Sequence, residues 1–220
     1  MRRILIVGAG GHAQVIADAI LSGARAGDDW QVAGFLDDNS ELVGREVLSF
    51  KILGTSGQIA QFEHDAVVVG IGDNAVRARV FDRLKRQGET LLCVIHPRAV
   101  VAGDVVLGEG SVVFANAVIN TSSIIGDDVI VNTGATIDHH ARIGAHAHLA
   151  PGVHLGGGVT VGEGALFGIG SSVIPNRTIG AWTTVGASAA VVRDLPDRVM
   201  AVGVPAQIIT ELSTPDYLTT

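Results

Sequence analysis

The histidines of this chain are concentrated in one stretch. Five of the eight lie between positions 139 and 154, namely His139, His140, His146, His148 and His154. A neutral imidazole can accept a proton near pH 7, and three converging imidazoles with an open fourth position can hold zinc. Because surface histidines scattered singly would not cluster in this way, the stretch predicts either proton transfer or metal-assisted chemistry.

Two glycine-rich segments, residues 8–12 and 70–74, each follow a short apolar run. A helix that begins at such a loop directs open backbone N–H groups toward a phosphate. The first segment fits the relaxed dinucleotide pattern Gly-x-Gly-x-x-Ala, and Asp37-Asp38 closes the next strand, where a carboxylate can bind a ribose. The alternative is that the glycines only allow a strand and a helix to pack closely, and on this pattern both interpretations stay open.

From position 101 onward, an aliphatic residue or Phe recurs at every sixth position. The series is Val101, Leu107, Val113, Ile119, Ile125, Val131, Ile137, Ile143, Leu149, Leu155, Val161, Phe167, Val173, Ile179, Val185 and Val191. Four positions after each comes a residue that is small or β-branched in all but two cases, Arg177 and Leu195. Neither a helix nor an alternating strand has a period of six. The pattern predicts a β-helix of hexapeptide repeats, with three hexapeptides in each triangular coil of roughly 18 residues.

Glycines follow many of these inward positions, including Gly108, Gly110, Gly126, Gly162 and Gly180. The chain must turn there, and we expect these glycines to supply a positive φ.

Before the coil, predicted strands alternate with predicted helices, which indicates a small parallel α/β domain. The expected strands are residues 4–7, 31–36, 66–71 and 90–95. One expected helix begins at Ala13, and the other covers residues 75–87. The sequence thus predicts an α/β domain over residues 1–92, a β-helix over residues 93–200 and a polar tail over residues 201–220 that is expected to fray.

Composition narrows the class of protein. The net charge of −7 argues against a nucleic-acid or membrane-surface binder, which would present a basic face. Cys93 is the only cysteine, so no intrachain disulfide is possible, and a reducing, cytoplasmic location is expected. Residues 8–12 interrupt the apolar N-terminal run early, so we expect no export signal, and no apolar run reaches transmembrane length.

Five motifs resemble, in order, those of the bacterial nucleotide-amino-sugar N-acetyltransferases. They are residues 8–12, 35–38, 70–74, 132–139 and 203–206. These left-handed β-helix acyltransferases act in bacillosamine and perosamine synthesis and include relatives known as sialic-acid O-acetyltransferases. The resemblance covers nearly the whole chain. It implies a homotrimer with active sites between subunits, acetyl-CoA along the coil, a UDP- or GDP-linked amino sugar on the N-terminal domain, a role in surface-glycan synthesis, and no metal.

The same resemblance assigns roles to residues. His139 matches the general base, which takes a proton from the attacking amine. Gly157 comes 18 residues later, so coil geometry also places it one coil away, about 4.8 Å off, where its N–H can meet an oxyanion. The matching residues for the nucleotide sugar are Gly10, Gly11, His12, Asp37, Asp38, Gly72 and Asn74, and those for acetyl-CoA are His148, Gly157, Gly168, Gly186 and Pro205. His148 is given a supporting catalytic role, and His140, His146 and His154 are expected at turns or interfaces.

One position departs from the family pattern. Relatives often carry Asp or Glu directly after the base, where a carboxylate orients the ring, but this chain has His140. Asp138 precedes the base, and neighbours in a strand usually point to opposite faces. The sequence therefore leaves the orienting group open.

Three other functions compete with N-acetyl transfer. An O-acetyltransferase would use the same base and oxyanion donor on a hydroxyl group. A metal-dependent hydratase of the carbonic-anhydrase type also uses a trimeric β-helix, but it has no need of residues 8–12 or the Asp37-Asp38 loop. A passive scaffold or nucleotide sensor leaves the histidine cluster unexplained.

Overall fold

The computed structural model describes residues 1–215. The described chain forms two compact units, which meet in sequence between Pro97 and Arg98. The predicted α/β domain and the predicted left-handed parallel β-helix are both present, one in each unit.

The first unit is a five-stranded sheet with two helices. Its elements are β1 Arg2–Val7, α1 Gly11–Arg25, β2 Trp30–Leu36, β3 Glu46–Val47, β4 Phe50–Gly54, β5 Ala66–Val69, α2 Asn74–Arg86 and β6 Val94–Ile95, with short 3-10 helices at Ser40–Leu42 and Ser56–Gln61. The sheet order is β3-β4-β2-β1-β5, and every pair is parallel except β3 with β4. This order places β1 between β2 and β5. The chain first extends the sheet on one side of β1, with β2 and β4, and then on the other side, with β5, so the strand order reverses at β1.

The centre of this sheet is fully apolar. Ile4, Leu5 and Ile6 are completely buried, as a strand covered on both faces requires. Two features differ from the expected strands. Residues 90–95 form only a bridge from Leu91 to Val67 and then the two-residue β6, and the β3–β4 hairpin has no counterpart in the sequence prediction.

The second unit is a coil of two-residue strands. They are β7 Val100–Val101, β8 Val106–Leu107, β9 Val112–Val113, β10 Val118–Ile119, β11 Ile124–Ile125, β12 Ile130–Val131, β13 Thr136–Ile137, β14 Arg142–Ile143, β15 His148–Leu149, β16 His154–Leu155, β17 Thr160–Val161, β18 Leu166–Phe167, β19 Ser172–Val173, β20 Thr178–Ile179, β21 Thr184–Val185 and β22 Ala190–Val191. Every third strand belongs to the same parallel sheet, so Val118 pairs with both Val100 and Thr136. Three sheets result, and they form the three faces of the coil.

The six-residue series forms the core of this coil, as predicted. Its members from Val113 to Val191 are at most 3% exposed, and Val101 and Leu107 at the open end are partly buried. Each inward residue stacks on those one coil above and below. A two-residue strand buries too little to be stable alone, so each coil depends on its neighbours.

The turn glycines serve two different needs. A residue with positive φ recurs every six positions, for example Gly110, Asn116 and His140 with φ of 69°, 59° and 60°. The glycine directly after an inward residue has a different role, because a Cβ on Gly126 would lie 2.7 Å from the backbone nitrogen of Ala145 in the next coil. The expectation that both kinds of glycine supply positive φ is therefore wrong for the second kind, where the close approach of two backbones excludes a side chain.

Regular structure extends beyond the predicted end of the coil. Strand β23 (Val199–Val202) pairs in parallel with β21, and β24 (Gln207–Glu211) pairs antiparallel with β23. The expected fraying of the tail is not found over these strands, and residues 216–220 lie outside the described residues.

Buried hydroxyl groups connect successive coils. Ser111 is fully buried; its hydroxyl donates to the carbonyl oxygen of Gly126 at 2.8 Å and accepts from the N–H of Val129 at 2.9 Å. Ser171 occupies the same position of a later repeat and is equally buried, but its hydroxyl makes no hydrogen bond within residues 1–215.

We expect Ser111→Ala to lower the free energy of unfolding by about 1–3 kcal/mol, because it leaves a buried N–H and a buried C=O without their partner. Ser171→Ala is the matched control and should change this free energy by less than about 0.5 kcal/mol, since it breaks no hydrogen bond. Denaturant unfolding at equal protein concentrations measures both changes. Equal effects of the two substitutions would contradict the role given to the Ser111 hydroxyl.

Candidate active site

The turn after β13 presents Asp138, His139 and His140 on the outside of the coil. Ser123, one coil earlier, fixes this turn from inside: its hydroxyl donates to the carbonyl oxygen of Asp138 at 3.1 Å and accepts from the N–H of Ala141 at 3.2 Å. The His139 side chain is 55% exposed in the single chain, so solvent and substrates can reach the ring.

Gly157 lies directly beside the ring of His139. A Cβ on Gly157 would lie 2.6 Å from Cε1 and 2.8 Å from Nε2 of that ring, so any side chain there would push the His139 ring out of its position. The N–H of Gly158 donates to the carbonyl oxygen of His139 at 2.9 Å, which keeps the two coils in register. Within residues 1–215 the N–H of Gly157 itself makes no hydrogen bond, and an oxyanion could accept from it.

A cleft of about 240 Å³ opens in front of this pair. Its lining consists of Asp138, His139, His140, Gly157, Gly158, Pro175 and Asn176. The structure thus brings together His139 and Gly157 as coil geometry predicts, and it adds His140 to the same cleft.

Asp138 does not hydrogen-bond to the His139 ring. One oxygen of its carboxylate accepts the N–H of His139 at 2.8 Å and the amide of Asn120 at 3.0 Å, and the other lies 3.9 Å from Nε2 of His139. The His139 N–H and then the Asn120 amide hold the pKa of the Asp138 carboxyl below its usual value, so this group is a carboxylate at neutral pH. Its charge is near the ring, but its hydrogen bonds come from the His139 backbone and the Asn120 side chain.

The structure does not bring His148 to His139 within one chain. His148 lies on β15, on a different sheet, where its Nε2 is 3.4 Å from the amide nitrogen of Asn132. Gly168 and Gly186 follow β18 and β21 at the same corner of successive coils, where a Cβ on Gly168 would lie 2.8 Å from the backbone carbon of Gly186. Pro205 lies between β23 and β24. These residues lie along the coil, and none of them lines the cleft at His139.

The first unit carries a larger cavity, of about 580 Å³. It lies at the carboxyl ends of β1, β2 and β5, and its lining is Val7, Gly8, Leu36, Asp37, Asp38, Ile71, Val76, Arg79, Val80, Arg83 and Arg86. In an open parallel sheet, ligands bind outside the carboxyl ends of the strands where the strand order reverses, and β1 is that place here.

Both carboxylates at the cavity also hold the protein backbone. Asp37 accepts from the N–H of Ala9 at 2.8 Å and from that of Asn39 at 2.9 Å. Asp38 accepts from the N–H and the hydroxyl of Ser56, at 2.8 Å and 2.6 Å. Each oxygen of Asp37 and Oδ2 of Asp38 retain a lone pair, so a ligand hydroxyl can add to these contacts.

The glycines of the two loops differ in what they permit. A Cβ on Gly8 would lie 2.9 Å from the carbonyl oxygen of Gly70, and one on Gly70 would lie 2.7 Å from the Cβ of Ala13, so close packing requires both. Positions 10, 11 and 72 have open space where a Cβ would stand. Gly10, Gly11 and Gly72 are therefore not explained by packing within the chain.

The N-termini of the two helices also differ. Asp73 caps α2 by accepting from the N–H of Val76 at 2.8 Å, whereas no side chain caps α1 at Gly10. His12 lies in the first turn of α1. Burial, and then the positive charge of Arg77, lower the pKa of His12 to about 4, so this ring is neutral at pH 7.

Sequence reasoning missed the arginines of α2. The fully buried Arg77 donates to Oδ1 of Asn74 at 2.9 Å and to the carbonyl oxygen of Ile71 at 3.3 Å, so it fixes the second glycine loop and orients Asn74. Arg83 is half-buried and Arg79 and Arg86 are exposed, and all three line the cavity. The three residues lie at spacings of four and three, which place them on one face of a helix, and that spacing was the available signal.

Within the described residues of one chain, no three His, Cys, Asp or Glu side chains converge as metal ligands. In the same part of the chain, neither helix has the length and apolarity needed to cross a membrane.

Comparison with known proteins gives matches in both units. Residues 3–84 match the family model of the PglD N-terminal domain. The chain is 38% identical over 117 residues to UDP-N-acetylbacillosamine N-acetyltransferase of Bacillus subtilis, a stretch that spans 52% of this chain and 52% of that relative.

Two solved structures match over almost the full length. The acetyltransferase domain of PglB from Neisseria gonorrhoeae is 34% identical, with a TM-score of 0.87, and the match covers 95% of this chain and all of that one. A histidine-to-asparagine mutant of perosamine N-acetyltransferase from Caulobacter crescentus, in complex with CoA and GDP-perosamine, is 42% identical, with a TM-score of 0.87 and coverage of 94% and 97%. With its glycine loops at the sheet edge and its histidine on the coil, the chain belongs to the family of bacterial nucleotide-amino-sugar N-acetyltransferases.

Proposed function

We propose that this protein transfers the acetyl group of acetyl-CoA to the amino group of a UDP- or GDP-linked amino sugar, with His139 as general base. The observation that carries the proposal is the pair of His139 and Gly157, which places a proton acceptor and an unused backbone N–H on one exposed cleft. Membership of the family and the CoA bound in the Caulobacter relative support it.

The proposed reaction has three steps. The amine nitrogen attacks the thioester carbonyl carbon, and the carbonyl electron pair moves to oxygen, where the N–H of Gly157 stabilises the charge. Nε2 of His139 takes the proton that the amine loses as the new bond forms. Collapse of the tetrahedral centre expels the CoA thiolate, which receives that proton, and leaves an N-acetyl sugar and CoA.

The N-terminal cavity suits the nucleotide part of the substrate. Asp37 and Asp38 can accept hydroxyl groups of a ribose, and the guanidinium groups of Arg79, Arg83 and Arg86 can balance the charge of a diphosphate. The uncapped first turn of α1, at Gly10, Gly11 and His12, offers N–H groups to the same diphosphate. Gly72 and Asn74, in the second glycine loop and at the start of α2, are assigned to the nucleotide sugar as well. The coil residues His148, Gly168, Gly186 and Pro205 are assigned to acetyl-CoA. We place the reaction in the cytoplasm.

The His139→Asn substitution should lower kcat by roughly 10²–10⁴-fold, the usual contribution of a positioned base. The values of kcat and kcat/KM should fall together, because proton removal is felt mainly in the transition state. Steady-state assays of thiol release with acetyl-CoA and a panel of UDP- and GDP-amino sugars measure this, and the matched hydroxy sugars test for O-acetyl transfer. His154→Asn is the control, since His154 is exposed on the coil and does not line the cleft. Near-normal kcat for His139→Asn with loss of activity for His148→Asn would mean that His148 is the general base and His139 has the supporting role.

The Asp37→Ala substitution should raise the apparent KM for the nucleotide sugar and leave that for acetyl-CoA nearly unchanged. It removes a carboxylate from the cavity and releases the N–H of Ala9 in the first glycine loop. Asp18→Ala removes the same charge from an exposed position on α1 and should leave both constants unchanged. Equal rises in the two KM values would argue against separate sites for the two substrates.

The protein should be a homotrimer in which the coils cover one another. Apolar side chains stand on the outside of the single coil, where Val100, Val106 and Ile124 are 62%, 58% and 40% exposed. A closed symmetric assembly removes such a surface from water. Sedimentation equilibrium of the full chain at micromolar concentration should give three times the chain mass, and a stable monomer would remove the basis for shared active sites.

A further inference from the structure

The His139 and His140 rings contact each other at the mouth of the cleft. Nδ1 of His140 lies 2.9 Å from Nδ1 of His139, and the rings meet edge to face, with centroids 5.1 Å apart and planes at 86°. This distance is that of a hydrogen bond. Because a neutral imidazole has one N–H and one lone pair, one of the two nitrogens must donate and the other must accept.

The coil backbone sets the direction in which His140 points. His140 occupies the positive-φ corner of its hexapeptide, with φ of 60°, and its N–H donates to the carbonyl oxygen of Thr121 in the preceding coil at 3.1 Å. Most other repeats fill this corner with Gly, Asn, Asp or Ser, whose side chains are short, and His146 and Trp182 are the other two residues that carry a ring there. The corner turns the imidazole of His140 toward His139.

The other groups at the cleft leave His140 as the partner of the ring. Asp138 is the remaining titratable group in the lining, and its hydrogen bonds go to the backbone of His139 and to Asn120. Gly157, Gly158, Pro175 and Asn176 complete the lining and carry no titratable side chain. The second oxygen of Asp138 lies 3.9 Å from Nε2 of His139, too far for a hydrogen bond, so Nδ1 of His140 is the one group of this lining that hydrogen-bonds to the ring.

We propose that His140 is a positioning residue: its neutral Nδ1 accepts the Nδ1–H of His139 and so holds the lone pair of His139 on Nε2, toward the substrate. The inference rests on the proposed function, in which Nε2 of His139 takes the proton of the amine. When that proton arrives, His139 becomes an imidazolium whose Nδ1–H still donates to His140. A protonated His140 has no lone pair at Nδ1 and cannot accept from His139, so protonation of His139 stops the reaction and protonation of His140 slows it.

The tautomer can be measured without any substrate. In the full-length protein with ¹⁵N-labelled histidine, at a pH where both rings are neutral, long-range ¹H–¹⁵N correlation spectra should show a protonated Nδ1 on His139 and a protonated Nε2 on His140. The signals of His139 are those that disappear in His139→Asn. A protonated Nε2 on His139 would overturn the inference and leave the proposed activity to be judged by its own assay.

Two substitutions separate the acceptor from the rest of the side chain. His140→Asn keeps an oxygen acceptor near the position of Nδ1, and Asn tolerates positive φ, so kcat should stay within about threefold of the wild-type value. His140→Gly removes the acceptor and relieves the backbone, and kcat should fall about five- to tenfold, the value of one hydrogen bond, with both KM values unchanged. Asn116→Gly makes the same change at another positive-φ corner, with φ of 59°, and should leave kcat unchanged.

The pH profile distinguishes positioning from a merely structural role. His140→Asp supplies a negative acceptor that favours the protonated His139 ring, so the acid limb of kcat/KM should move to higher pH than in His140→Asn. Wild-type kcat in His140→Gly, or identical acid limbs in the Asn and Asp variants, would overturn the inference. Failure of the proposed function is a separate result, in which the wild type acetylates no nucleotide amino sugar.

Discussion

The stacking of coils in a fixed register is the constraint on which the second unit depends. Each strand from β7 to β22 has two residues, and its backbone hydrogen bonds and inward side chain are satisfied only by the coils above and below. The backbones approach so closely at Gly126 and Gly144 that no Cβ fits between them. A slip of one residue would turn the whole inward series outward, so the register is fixed by the entire core. The fixed register therefore also fixes the positions of the residues on the outside of the coil.

The candidate active site uses this precision directly. His139 and Gly157 are neighbours because they occupy the same place in successive coils, and Ser123 supports the same turn from the preceding coil. No flexible loop has to close to bring the proposed base, His139, and the proposed oxyanion donor, Gly157, together within one chain. Preorganised groups of this kind do not reorganise during the reaction, which is why they contribute strongly to catalysis.

The sequence predicts the repeat well and the side-chain contacts poorly, for physical reasons. Each hexapeptide contributes one inward residue, and three hexapeptides make one coil. The inward series and the pairing of His139 with Gly157 could therefore be derived from spacing. The spacing of Arg79, Arg83 and Arg86 places them on one helix face but does not show that this face lines a cavity, because a charged face of a helix normally lies in solvent. Strand β23 was missed because it joins the sheet after the six-residue spacing has ended.

The glycine loops of the first unit show why a motif alone is ambiguous. Gly8 and Gly70 satisfy the packing explanation, since side chains there would strike the neighbouring backbone. Gly10 and Gly11 do not, because the space beside them is open and the helix they begin has no side-chain cap. The carboxylate of Asp37 both fixes this loop, by accepting from the N–H of Ala9, and lines the cavity. Packing within the chain therefore explains the first glycine of the motif, Gly8, but not the second, Gly10, and only the structure separates the two.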